Sequence, residues 1–257
     1  MLATALLVLP ALSAVAADNP WVGTWKLDLA KSKFTGDTFT YSKTPAGLYH
    51  FTDGSVVGYD FAIDGKDYPT AFGRSTAWTA TADNAWTTVY SFNGKQIGTG
   101  KVAVSYDGKE LTFNDTTTKP DGSESHDVSV YKRLTGGPTG LVGKWVSTSV
   151  NISAPNTYVV SSPSDGVIHW EISEYKETVE GKTDGSDLPI TGPTVPQGLT
   201  LSIKVLGPKK LTYTVKISGK ETGTSVQTVS GDGKTLTDVS WSPGKESEKS
   251  TAVYTKQ

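Results

Sequence analysis

Asn93–Thr112 reads NGKQIGTGKVAVSYDGKELT, and Ser218–Thr237 reads SGKETGTSVQTVSGDGKTLT. Overlaid without a gap, the two segments agree at eleven of twenty positions. A chain that repeats itself over such a distance is a tandem duplication, and the period sets the architecture. The repeat extends outward from this stretch. Val22-Gly23-Thr24-Trp25 returns as Val142-Gly143-Lys144-Trp145, and Asp64-Gly65-Lys66-Asp67 returns as Asp184-Gly185-Ser186-Asp187. Val130-Tyr131-Lys132 near the end of the first half matches Val253-Tyr254-Thr255 in the second. Thr135–Gly140, rich in glycine with one proline, is the joint between the copies.

Within the first copy, Asp53-Gly54, Asp64-Gly65, Asn93-Gly94, Asp107-Gly108 and Asp121-Gly122 punctuate the chain. Such pairs supply the positive φ that tight hairpin turns require. The segments between them alternate apolar and polar residues. Leu199, Leu201, Ile203 and Val205 share one face, as do Leu211, Tyr213, Val215 and Ile217. Val57, Tyr59, Phe61 and Ile63 do the same in the first copy, and so do Trp86, Thr88, Tyr90 and Phe92. Period-two patterning gives strands with one buried face. One strand per turn, repeated, predicts an all-β fold of two tandem up-and-down antiparallel meanders. Each has about 8–10 strands and is closed into a barrel to remove its edges. The expected domains are 18–135 and 141–257, joined by a linker at 136–140. No long helix is expected, and Leu29–Phe34 makes at most one turn.

Composition narrows the function. The chain has 257 residues, a net charge of −2 and no cysteine, so disulfides, thiolate metal sites and thiol nucleophiles are excluded. Arg74 and Arg133 are the only arginines. That scarcity and the acidic balance argue against a nucleic-acid partner. Met1–Ala17 is uncharged and apolar and ends in Ala14-Val15-Ala16, which reads as a signal peptide for export to the periplasm or outside the cell. It is too short for a stable membrane anchor.

A repeat that opens on Gly-x-Trp and continues as a meander resembles the calycins, the lipocalins and fatty-acid-binding proteins. Gly23-Thr24-Trp25-Lys26-Leu27 with Ser32-Lys33-Phe34, and the closing Val130-Tyr131-Lys132-Arg133, carry the likeness. It extends to bacterial exported lipocalin-like proteins of unassigned function. The resemblance implies barrels that hold a small apolar molecule, with a cation on the last strand packed on the first-strand tryptophan. Pairing within each copy places Arg133 on Trp25 and Lys256 on Trp145. Two features of fatty-acid-binding proteins are missing. Ala30–Gly36 is too short for a helical lid, and the arginine of their Arg-x-Tyr anchor is replaced by Ser129 and Ala252, ahead of Tyr131 and Tyr254.

The expected activity is non-catalytic binding of a small apolar or amphipathic, lipid-like ligand inside one or both barrels. Its candidate walls are Tyr59, Phe61, Trp86, Tyr90 and Phe92 in the first copy, with Leu201, Tyr213 and Val215 in the second. The alternative is an envelope or extracellular interaction module with filled barrels that binds protein or glycan on its outer surface. An open apolar volume inside a barrel separates the two readings. His50 and His169 occupy matching positions, and Glu171 shares a strand face with His169, so these three are candidate polar or metal-binding groups. The carboxylates Asp60, Asp64 and Asp67 recur as Glu180, Asp184 and Asp187, in a spacing that suits turns better than a calcium loop. No catalytic motif occurs, and no cofactor is expected.

Overall fold

The computed structural model describes residues 19–154, 156–162 and 164–257; the apolar stretch 1–17, read above as an export signal, lies outside them. The first repeat forms β1 (Gly23–Leu27), β2 (Thr38–Lys43), β3 (Tyr49–Thr52), β4 (Gly58–Phe61), β5 (Asp67–Pro69), β6 (Arg74–Ala82), β7 (Ala85–Phe92), β8 (Lys95–Val104), β9 (Glu110–Thr118) and β10 (Glu124–Thr135). The second forms β11 (Gly143–Asn151), β12 (Thr157–Ser161), β13 (Val167–Ile172), β14 (Glu177–Lys182), β15 (Asp184–Pro189), β16 (Leu199–Gly207), β17 (Lys210–Ile217), β18 (Lys220–Val229), β19 (Thr235–Trp241) and β20 (Ser250–Lys256). A single 3-10 turn at Ser173–Tyr175 is the only helical element among the described residues. The fold is all-β, in two antiparallel up-and-down barrels of ten strands each.

The barrels do not follow the repeat boundary. One sheet runs β4-β3-β2-β11-β10-β9-β8-β7-β6-β5, and the other runs β14-β13-β12-β1-β20-β19-β18-β17-β16-β15. Each repeat therefore gives its first strand to the other. Barrel one is β2 to β10 closed by β11; barrel two is β12 to β20 closed by β1. The contiguous segments 18–135 and 141–257 are repeats, but neither is a whole barrel. Two crossings, from β1 to β2 and from β11 to β12, tie the barrels together.

The linker accounts for the exchange. Only Gly136–Val142 separates β10 from β11, so β11 folds back as the antiparallel neighbour of β10, with Arg133 opposite Trp145. A short loop closes at low entropic cost. With that position filled, β1 takes the matching place between β12 and β20, where Trp25 lies opposite Tyr158 and Lys256.

This exchange corrects the expected tryptophan partners. The Arg133 guanidinium lies 4.0 Å from the ring centroid of Trp145, and the Lys256 ammonium lies 5.2 Å from that of Trp25. Both indoles are fully buried and donate one turn back, Trp25 to the Trp21 carbonyl at 2.8 Å and Trp145 to the Leu141 carbonyl at 2.9 Å. Arg133 also donates to the carbonyls of Gly108, Val142 and Gly140. The glycine of each Gly-x-Trp has a physical reason. Gly23 and Gly143 sit at φ 142° and 145°, and a Cβ on either would strike the Lys256 side chain or the Thr135 carbonyl.

The rims differ. In barrel two, Thr178 and Thr191 exchange two backbone hydrogen bonds of 2.9 Å and join β14 to the residues after β15. No ladder joins β4 to β5 among the described residues of barrel one. Leu29–Lys31 makes one turn, with Lys31 N–H donating to the Asp28 carbonyl, and no helix follows.

Strand exchange makes a prediction. Cleavage within the exposed Gly136–Thr139 segment leaves two fragments that co-elute as one species on native size exclusion and separate only in denaturant. Fragments that part on simple dilution would show that each repeat closes on its own first strand.

Candidate functional site

The inward faces of the two barrels are filled differently. Barrel one holds a continuous aromatic chain. Tyr41 lies 6.0 Å from Phe61, Phe61 5.0 Å from Trp78, Trp78 6.5 Å from Phe113, and Phe113 5.7 Å from Tyr131, centroid to centroid. Phe61 and Trp86 are buried parts of this core. Tyr59 packs against it and, with Tyr90, borders a 280 Å³ recess at the rim beside Arg74 and Thr76. Burial pushes the Tyr59 hydroxyl up to about 12. Tyr90 donates to Asp115 at 2.9 Å. Phe92 is buried near the Arg74 guanidinium, 5.8 Å from its ring centroid. Thr76 Oγ1, Trp78 Nε1 and Thr88 Oγ1 are buried with no protein partner.

Barrel two holds a partly open apolar cavity of about 220 Å³. Val160, Trp170, Val179, Ile190, Leu201 and Leu236 form much of its wall, and Tyr213 and Val215 complete one side. Among the candidates read from the sequence, Leu201, Tyr213 and Val215 thus meet at one space. The aromatic candidates of barrel one are divided between its core and its rim. Aliphatic residues leave room in barrel two because its aromatic pairing is confined to Tyr158 with Tyr254 and Trp170 with Tyr213.

A buried polar network closes the floor of this cavity. The Asp238 carboxylate accepts from Tyr213 Oη at 2.8 Å, from Gln227 Nε2 at 2.7 Å and from Ser225 Oγ. Burial, and next the Asp238 charge, push the Tyr213 hydroxyl well above the ordinary phenol range. The repeat shows how the network differs between the barrels. In the gapless overlay, Tyr213, Ser225 and Asp238 stand where barrel one has Thr88, Gly100 and Phe113. The tyrosine–aspartate pair of barrel one, Tyr90 and Asp115, falls instead on Val215 and Ser240. The pair has moved one inward layer along the strands. The layer it left in barrel two is small and open.

That layer borders a second space. A chamber of about 440 Å³ lies between the turn-bearing ends of the barrels, walled by Tyr213, Val215, Gly223 and Ser240 of barrel two and by Phe39, Phe51 and Tyr131 of barrel one. The β19–β20 loop spans it on one flank. Glu248 accepts from the Thr38 amide at 2.9 Å, and Lys245 donates to the Thr38 carbonyl at 2.7 Å while pairing with Glu248 at 2.7 Å. Outside the residues that line the chamber, Lys119 Nζ donates to the Ala154 carbonyl at 3.0 Å, and the Asp121 amide donates to the Glu174 carbonyl at 3.3 Å. Glu177, at the cavity edge, is raised by burial against opposing contributions from Thr194 and the Arg74 charge of barrel one.

The histidines are elsewhere. His50 meets Asp60 across β3 and β4 at 2.6 Å, and His169 meets Glu180 across β13 and β14 at 3.0 Å. Both pairs sit at the same repeat position on outer strand faces. Glu171 does not join His169 but accepts from Ser173 Oγ at 2.8 Å. No group of three or more potential metal ligands occurs among the described residues. The acidic triples are divided: Asp64 and Asp184 serve their turns by accepting from the Lys66 and Ser186 amides, Asp187 pairs with Lys216, and Asp60 and Glu180 are the histidine partners.

Sequence reasoning missed Gln227 and Asp238. Their signal was present, since each lies two residues from a buried apolar residue on the same strand face, Gln227 beside Val229 and Asp238 beside Leu236. Comparison of the chain with protein-family models, curated proteins and solved structures finds no match.

Two measurements check this description. Asp238→Ala strands the donors of Tyr213, Gln227 and Ser225 and should cost about 3 kcal/mol in urea unfolding. Glu177 has a folded pKa above its unfolded value, so its contribution to stability is present at low pH and lost as pH rises through the folded pKa. Glu177→Gln should therefore raise the melting temperature at about pH 7, and the gain should vanish below about pH 4.

Proposed function

We propose that the chain is a non-catalytic binding protein that holds a small apolar or amphipathic molecule in barrel two. The cavity of about 220 Å³ is the observation that carries this reading. It combines apolar walls with a few fixed polar groups, the pattern of a small-molecule site. Its size is below the roughly 300 Å³ at which drug-sized pockets begin, so the ligand is small or enters only in part. Tyr213 is held by Asp238, so its ring is a fixed wall and costs no ordering when a ligand arrives. Barrel one, filled by aromatic side chains, serves as scaffold and as the surface facing the mouth of barrel two. Export, if residues 1–17 act as a signal, would place this binding activity outside the cytoplasm.

Calorimetric titration with hexanol and octanol tests the reading. Saturable binding with a negative heat-capacity change is expected. Leu201→Phe, which adds bulk to the cavity wall, should weaken it at least about tenfold, or 1.4 kcal/mol. Phe61→Leu in barrel one should lower stability and leave affinity unchanged. Absence of saturable binding to the unaltered protein would overturn the proposal.

A further inference from the structure

We propose that the barrel-two cavity and the chamber between the barrels are one continuous site, built for an elongated amphipathic amine whose tail fills the cavity and whose ammonium head lies in the chamber. This inference rests on the binding reading above and adds the ligand class and its direction.

Continuity comes from a shared wall. Tyr213 and Val215 border both the 220 Å³ cavity and the 440 Å³ chamber. At that shared wall Val215 stands where barrel one has Tyr90, and Ser240, on the chamber side, stands where it has Asp115, so smaller side chains separate the two spaces. Gly223, opposite Val215 on β18, adds no side chain there.

Direction comes from the lining. The inner space is walled chiefly by aliphatic and aromatic side chains, which suits a tail. The chamber presents Asp37, Asp53, Glu248 and Lys245 together with hydroxyls such as Ser240 and Ser242. Lys245, which pairs with Glu248 at 2.7 Å and also acts on Asp37, is the one basic side chain in a lining with three carboxylates, so the chamber is net negative. Asp53 is oriented by the Ser55 and Val57 amides, and Asp37 accepts from Ser250 at 3.3 Å. Neither aspartate forms an ion pair among the described residues. Burial raises the Asp37 pKa against the Ser250 hydrogen bond and the Lys245 charge; a further cation beside it would lower it. An anionic head would meet these carboxylates at close range and be repelled.

Calorimetric titration of the full chain with n-alkylamines and n-alkanols, from hexyl to tetradecyl, decides the matter. Hexylamine should bind more weakly than hexanol, since a short tail keeps its head within the apolar cavity, where an ammonium loses more hydration than a hydroxyl. At dodecyl the amine should bind about tenfold tighter than the alcohol, as expected for a cation meeting partly desolvated carboxylates. The double variant Asp37→Asn with Asp53→Asn should abolish that preference and keep the affinity for dodecanol. Gly223→Phe should weaken dodecylamine more than hexylamine. It should fold, because a Cβ at Gly223 has only the Trp241 carbonyl within 4 Å, at 3.8 Å. Equal binding of dodecylamine and dodecanol, or an amine preference that survives the double variant, would overturn the inference and leave the cavity reading standing. Failure of every probe, short and long, would overturn the cavity reading itself.

Discussion

The architecture depends on an exchange of two tryptophan-bearing strands. β1 and β11 carry the same Gly-x-Trp motif, and each completes the barrel built by the other repeat. Trp145 is clamped beneath Arg133 of the preceding repeat, and Trp25 beneath Lys256 of the following one. Each indole is fully buried and hydrogen-bonded, so pulling either strand out would expose a large apolar surface and open a barrel seam. The barrels are therefore coupled by covalent crossings as well as by surface contact. Their ends are held face to face, and the space between them is a fixed part of the molecule.

Duplication gave two copies of one scaffold, and a shift of one strand layer made their interiors different. In barrel one, Tyr90 and Asp115 pair near the rim, above a floor of aromatic rings. A Cβ on Gly100 would collide with Asp115, Thr88 and Tyr90, so only glycine fits between them. In barrel two, Ser225 stands at the Gly100 position and hydrogen-bonds Asp238 one layer deeper. That arrangement leaves Val215, Gly223 and Ser240 lining the chamber between the barrels. The same set of strands thus gives one barrel packed with aromatic rings and one with a cavity, through aliphatic inward residues and a different placement of one acid and its tyrosine partner.

Much of the fold was legible in the chain. Asp-Gly and Asn-Gly turns and the alternating faces of β16 and β17 specify antiparallel strands, because turn φ and strand pleat are local properties. The inward orientation of Tyr59, Phe61, Trp86, Leu201, Tyr213 and Val215 followed from that alternation. Which of them would border empty space did not follow. A cavity is the difference between the volume of a shell and the side chains projecting into it from many strands, and no single strand records it. Gln227 and Asp238 were visible as polar residues on the same strand faces as Val229 and Leu236, but their partners lie on neighbouring strands.

By itself the sequence determined an all-β duplication, its turns, and the inward face of its clearest strands, since these rest on contacts between residues close in the chain. Only the tertiary structure decided which first strand closes which barrel. The two strands carry the same motif and either would fit either seam, so local preference is degenerate. The seven residues from Gly136 to Val142 broke the tie, because a loop that short folds β11 back onto β10 and leaves β1 the remaining place. The chamber between the barrels follows from that choice, and residues such as Thr38 and Glu248, 210 positions apart, meet only because of it.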